Sequence, residues 1–192
     1  MLFRSIEGRP GAGGTIGVGQ AARAAPDGYT ILFHSATFSA SYVTHKTLPY
    51  DTLNDFIAVA PVGISPSVLV AAPSKGYKNA ADLIAAAKAK PGELNFASAG
   101  IGAASHLAAE KFIAAAGIKA QHIPFKGPSE ATTELLTGRS HIIIQSAVST
   151  LPYLQSGRLR VLATTGTARM SELPQVPTMI EAGLAGYEVY VW

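Results

Sequence analysis

The sequence predicts an α/β fold with a largely parallel sheet. Three observations carry this expectation. Short apolar runs rich in β-formers alternate with stretches of helical periodicity. The links between them are short and punctuated by proline and glycine. Loops of small residues follow several of the strands, at the carboxyl ends where such sheets place ligands.

The elements follow in order. Ile6 to Gly14 reads as the end of a strand running into a glycine-rich turn. Thr15 to Ala25 reads as a helix with Thr15 as its N-cap. Pro26-Asp27-Gly28 is a turn, and Tyr29 to His34 is strand-like. Ser35 to Ser41 is a small polar loop that opens a helical turn. After Pro49 and Asp51, Phe56 to Ile64 is again strand-like, and Ser67 to Ala72 is an apolar strand bounded by Pro66 and Pro73. Asn79 caps a helix to about Lys90, with Asp82 at the capping-box position and Leu83, Ile84 and Ala87 on one face.

Leu94 to Gly117 reads as strand, small-residue loop and helix, with Leu107, Ala108, Phe112 and Ala115 expected on the buried face. Gln121 to Pro124 is a strand and Phe125 to Pro128 a turn. Ser129 to Leu136 is a helix that Gly138 closes. The strand His141 to Gln145, a helix from Val148 to Gln155, the strand Arg160 to Thr165, a helical turn Thr178 to Ala182 and the strand Tyr187 to Val191 complete the pattern.

The totals narrow the function. With 48% hydrophobic and 14% charged residues among 192, the chain is a compact globular protein and not a disordered one. The net charge of +3 comes from scattered single Lys and Arg residues, which argues against nucleic acid and mildly favours small anions. There is no cysteine, so disulfides and thiol catalysis are excluded and the redox compartment is left open. No apolar run reaches the ~18 residues of a membrane-spanning helix. Met1 to Ser5 does not read as the start of a domain, and Tyr190-Val191-Trp192 falls within a strand pattern. No leader peptide is seen, and the chain is expected to be a fragment.

The loop Ser98 to Ala104 has the chemistry of an anion cradle. Its lack of bulk lets a ligand approach the backbone, and the following helix presents unpaired N–H groups and the positive end of its dipole. Nucleotide readings fail. Ile16 stands at the third glycine position after Gly11 and Gly13, and no acidic residue follows the strand after Gly100-x-Gly102. No pair among His34, His45, His106, His122 and His141 has helical metal-ligand spacing, and His106 is read as an orienting or packing residue. No nucleophile elbow and no carboxylate pair sits near the small-residue loops. The candidate pocket residues Ser35, Thr37, Ser98, Ser105, Gln145 and Ser146 suit holding a ligand more than transforming it. An α/β enzyme or an effector-sensing domain binding a small anion at the same helix N-terminus stays open as an alternative.

The ordered strings RPGAGGTIG, APDGYT, LPYD, LNFASAGIGAASHLAAEKF, PFKG, LPYLQSGRLRVLATT and LPQVPTMIEAGLAGYE together resemble the tripartite tricarboxylate transporter solute receptors, the Bug or TctC family. The resemblance covers Ile6 to Trp192. It implies a type II periplasmic-binding-protein fold of two α/β lobes, a receptor in the periplasm for small organic carboxylates, and delivery to membrane permease subunits. It implies no cofactor, no metal, no catalysis and a monomer when intact. The expected division is an incomplete first lobe over 6–67, a crossing strand over 68–72, a second lobe over 73–188 and the start of the return strand over 189–192. Carried over by position, the ligand-binding residues are Ser35, Ala36 and Thr37 from the first lobe. Ser98, Ala99, Gly100, Gly102, Ala103, Ser105 and Gln145 come from the second. Gln145 stands where acid-binding members often carry Asp. A neutral amide there can donate to a carboxylate but cannot pair with an ammonium, which favours a ligand without an amino group.

Overall fold

The computed structural model describes residues 5–192, so the expectation for the first five residues lies, except for Ser5, outside the described range. Five strands form the main sheet in the order β3-β2-β4-β1-β5: β1 (Ser65–Ala71), β2 (Leu94–Ser98), β3 (Ala120–Pro124), β4 (Ile142–Ser146) and β5 (Arg160–Thr164). Strand β2 runs parallel to β3 and β4, whereas β1 lies between β4 and β5 and is antiparallel to both. A short β6 (Tyr190–Val191) returns to pair with Ser65 and Pro66. The sheet is therefore mixed, with parallel pairing on one side of the inverted interior strand β1.

Helices cover both faces. Leu69, Phe96, Ile142 and Ile144 pack against α3 (Ala80–Ala89) and α4 (Ala104–Ala116), together with Met179, Leu184 and Tyr187. Val68, Val70, Ala97 and Ile143 pack against α5 (Pro128–Leu136) and α6 (Ala147–Gln155). Successive residues of a strand point to opposite layers, so a strand buried on both faces must be apolar throughout. That is why Val68 to Ala71 and Ile142 to Ile144 read as unbroken apolar runs.

Local chemistry sets the helix ends. The Asn79 side chain accepts the Asp82 N–H at 2.8 Å, and the Asp82 carboxylate accepts the Lys78 N–H at 3.1 Å, so α3 starts where the sequence predicts. The buried face of α4 is Ala108, Ala109, Phe112 and Ala116, while Leu107 and Ala115 are exposed. The expected stripe was displaced by one residue at its end and included a residue too far round the helix, because alanine-rich helices offer little contrast between faces.

Residues 5–64 depart furthest from expectation. Helix α1 spans Thr15–Ala22, and Gly14 is its N-cap; the Thr15 hydroxyl instead donates back to the Ala12 carbonyl at 2.9 Å. The polar stretch after Ser35 forms a full helix, α2 (Thr37–Thr44). Phe38, Tyr50 and Phe56 make a small aromatic cluster beneath it, with the Ser41 and Tyr50 hydroxyls 2.9 Å apart. Neither Tyr29 to His34 nor Phe56 to Ile64 is a strand. A strand needs a neighbouring backbone to complete its hydrogen bonds, and among the described residues these segments have none. Likewise Tyr187 to Val191 is a strand only at its last two residues, and Thr178 to Ala182 closes a single turn through the Ala182 N–H to the Thr178 carbonyl.

Candidate ligand-binding site

The register of the sheet gathers the site. Pairing of Ser67 with Ser146 and of Val68 with Gln145 puts the amino end of β1 beside the carboxyl end of β4. The carboxyl end of β2 and the start of α4 lie at the same edge. There a cavity of about 380 Å³ opens between this edge and the segments around Pro10–Gly14 and His34–Thr37. A second cleft of about 540 Å³ lies at the other end of the strands, near Pro73 and Arg160, away from the small-residue loops.

Of the ten residues carried over by position, six line the first cavity: Ser35, Thr37, Ala99, Ala103, Ser105 and Gln145. Four do not. The Ala36 N–H is taken by the Trp192 carbonyl at 3.0 Å. Ser98 is fully buried and turns away from the cavity, its hydroxyl meeting His122 Nε2 at 2.6 Å and accepting the Gly100 N–H at 3.1 Å. Gly100 and Gly102 shape the loop from behind. At Gly100 a Cβ would stand 3.2 Å from the Gly13 nitrogen and 3.3 Å from the Phe125 carbonyl oxygen, so three loops meet there without room for a side chain.

The donors differ from the expected set of bare backbone groups. Most N–H groups of the loop are already spent. Ala99 donates to Ser105 Oγ at 3.0 Å, Gly102 to His106 Nδ1 at 3.1 Å and Ala103 to the Gly100 carbonyl at 3.2 Å. Helix α4 has no cap of its own, and the Ala104 N–H is instead capped by Thr37 Oγ1, 67 residues away in sequence, at 3.0 Å. A hydroxyl that accepts an N–H still has its own proton to give. Thr37 and Ser105 thus present O–H donors at the positive end of α4, beside the Ser105 N–H, which has no partner among the described residues.

Gln145 is nearly buried and held at both ends: Oε1 accepts from the Thr132 hydroxyl at 3.2 Å and Nε2 donates to Thr150 Oγ1 at 3.1 Å. One amide N–H is left for a ligand. The wall also includes Gly11, Gly13, Gly14, His34, Ser67, Lys126, Ser146 and Ser149. Among the described residues Lys126 is its one lysine or arginine, and no Asp or Glu lines it. The Gly11–Gly14 turn reads in sequence as an ordinary entry to a helix. Its contribution comes from tertiary approach: Gly13 has φ 64°, and a Cβ there would lie 2.7 Å from the Ile101 carbonyl oxygen. No group of three or more metal-ligating side chains occurs among the described residues.

Among the described residues the cavity therefore combines hydroxyl donors, a helix N-terminus and one ammonium, with no carboxylate. It suits a small anion with carboxylate oxygens. The model of the tripartite tricarboxylate transporter family receptor matches residues 5–192. The chain belongs to this family. A UPF0065 protein from a Pseudomonas species is 37% identical over 188 residues, covering 97% of this chain and 56% of the relative. Among solved structures, an R. palustris protein with adipate superposes with a TM-score of 0.92 at 32% identity, covering 96% of this chain and 62% of the other. The periplasmic binding protein BugD superposes with a TM-score of 0.92 at 35% identity, covering 97% and 62%. The chain thus spans little more than half the length of the curated relative, and its fold is that of periplasmic binding proteins of the Bug/TctC type.

Proposed function

We propose that the chain forms the ligand-holding part of a periplasmic solute receptor, which captures a small organic carboxylate and passes it to membrane permease subunits. The observation that supports this most is the Thr37 cap on α4. It brings an O–H donor from residues 6–67 onto the helix terminus of residues 73–188, so that both proposed lobes contribute to one carboxylate site. Residues 68–72 then serve as the crossing strand and 189–192 as the start of its return. Binding draws the two sets of donors onto the same anion, which favours the closed arrangement by differential contact. Ser35, Thr37, Ala99, Ala103, Ser105 and Gln145 line the ligand, whereas Ala36, Ser98, Gly100 and Gly102 hold the loops that carry them.

The structure with adipate in the related R. palustris protein makes adipate the first ligand to test. Lys126 provides the countercharge for a second carboxylate, and the absence of Asp or Glu from the wall disfavours an amino-acid ammonium. Calorimetric titration of the chain at neutral pH with adipate and citrate should give saturable heat, and with an amine of the same length none. No heat from any di- or tricarboxylate would sink the receptor reading.

A further inference from the structure

Behind the ligand loop lie two histidines that no part of the capture site uses. The rings of His106 on α4 and His122 on β3 stack with centroids 4.0 Å apart, and Phe96 stacks on His122 at 4.8 Å. Each ring holds one end of the Ser98–Gly102 loop. His106 Nδ1 accepts the Gly102 N–H at 3.1 Å, so the neutral ring carries its proton on Nε2, 3.6 Å from the Glu110 carboxylate. His122 Nε2 lies 2.6 Å from Ser98 Oγ, which also accepts the Gly100 N–H at 3.1 Å and stands 3.2 Å from the Gly100 carbonyl.

The geometry points to His106 and His122 as positioning residues of the ligand loop, which keep it in its capture shape only while both rings are uncharged, so that acid loosens the loop and releases the anion. This deepens the receptor reading and rests on it for the release step.

The chemistry follows from the donors. A proton on His106 Nδ1 turns the acceptor of the Gly102 N–H into a second donor facing it, and the loop must turn away. Ser98 Oγ already donates to the Gly100 carbonyl at 3.2 Å, which leaves His122 Nε2 as the donor to Ser98, so a second proton on His122 acts through the charge it places against the stacked His106 ring. Rings stacked this closely take up protons one at a time. Burial, and then the charge of His106, holds His122 down to about 4. The other titratable groups around the pair are Glu110 on the same helix, 3.6 Å from His106 Nε2, and His45, whose Cε1 would lie 3.0 Å from a Cβ at Gly102. Lys126 lies in the turn after β3, on the wall of the ligand cavity.

The test is an acid titration of the 192-residue chain by NMR, following the ring signals of both histidines and the amides of Gly100 and Gly102 without ligand. The expected result is that the amides move with the ring midpoints. Amides that stay still while the rings titrate would overturn the assignment. In the double variant His106→Asn, His122→Gln each replacement keeps a hydrogen-bonding atom near the original nitrogen but cannot titrate. The amide movement should vanish there, and its persistence would overturn the proposal. If the variant does not fold, the titration of the unaltered chain still decides. Adipate affinity measured at pH 7.5 and 4.5 should fall more in the unaltered chain than in the variant, because protons held by the free loop compete with the ligand. Equal losses would remove the release step. No adipate heat at neutral pH would count against the receptor reading alone, since the amide titration needs no ligand.

Discussion

Thr37 caps α4 and faces the cavity with one oxygen, so its substitution should cost twice. Thr37→Val leaves the Ala104 N–H without its cap and removes an O–H donor from the ligand. Stability should fall by about 1 kcal/mol for the lost cap, and adipate affinity by about tenfold for the lost hydrogen bond. Thr37→Ser keeps the hydroxyl and should restore most of both. Thermal melts and calorimetry on the two variants check this; a valine variant with unchanged affinity would remove Thr37 from the site. His122 gives a second prediction, in stability alone. Its folded value lies below the ordinary 6.5, so the unfolded chain takes up the proton first as pH falls. The associated stability is fully present above about pH 6.5 and is lost as pH drops toward 4. For a half-buried ring, solvent screening reduces it to of order 1 kcal/mol. Urea melts at pH 4.5 and 7.5 should therefore differ less for His122→Gln than for the unaltered chain.

Among the elements, α3 offers a clean control because its cap is local and remote from the cavity. Asn79→Ala should lower stability by about 1 kcal/mol and leave adipate affinity unchanged. Comparing melts with titrations checks both halves. The same locality explains which elements could be read from sequence. Asn79 with Asp82, the apolar β1 and β4, and the Ser98–Ala104 loop before α4 all carry their signal within a few residues, and the structure places them as expected. Helix α2 was not legible as a full helix, because Thr37, Ser39, Ser41 and Thr44 have weak helical propensity and its stability comes from packing against Tyr50 and Phe56. The inversion of β1 between two strands was not legible either, since an apolar run has no direction in its composition. In the site, small-residue loops were readable, but the cap from Thr37 and the ring stack of His106 with His122 join residues 67 and 16 positions apart and carry no local pattern.

At the scale of the whole molecule, burial is uneven. The sheet and its four helices enclose two apolar layers, yet Tyr29, Ile31, Phe33, Ile57, Val59, Val62 and Ile64 are each more than two-thirds exposed. Tyr29, Ile31 and Phe33 alternate with the period of a strand, and so do Ile57 and Val59, but neither segment has a ladder partner among the described residues. Unpaired backbone donors beside exposed apolar side chains form a template for pairing with another chain. The 192-residue chain should therefore self-associate in a concentration-dependent way through these two segments, whatever its affinity for carboxylates. Sedimentation velocity over a hundredfold concentration range reads this directly. Ile31→Lys with Val59→Lys places a charge at the centre of each segment and should shift the population to monomer. Because neither side chain packs into the sheet's two cores, the melting temperature should change little. A single monomeric boundary for the unaltered chain at every concentration would contradict the argument. It would require the two segments to pair with each other in solution and bury their own apolar faces.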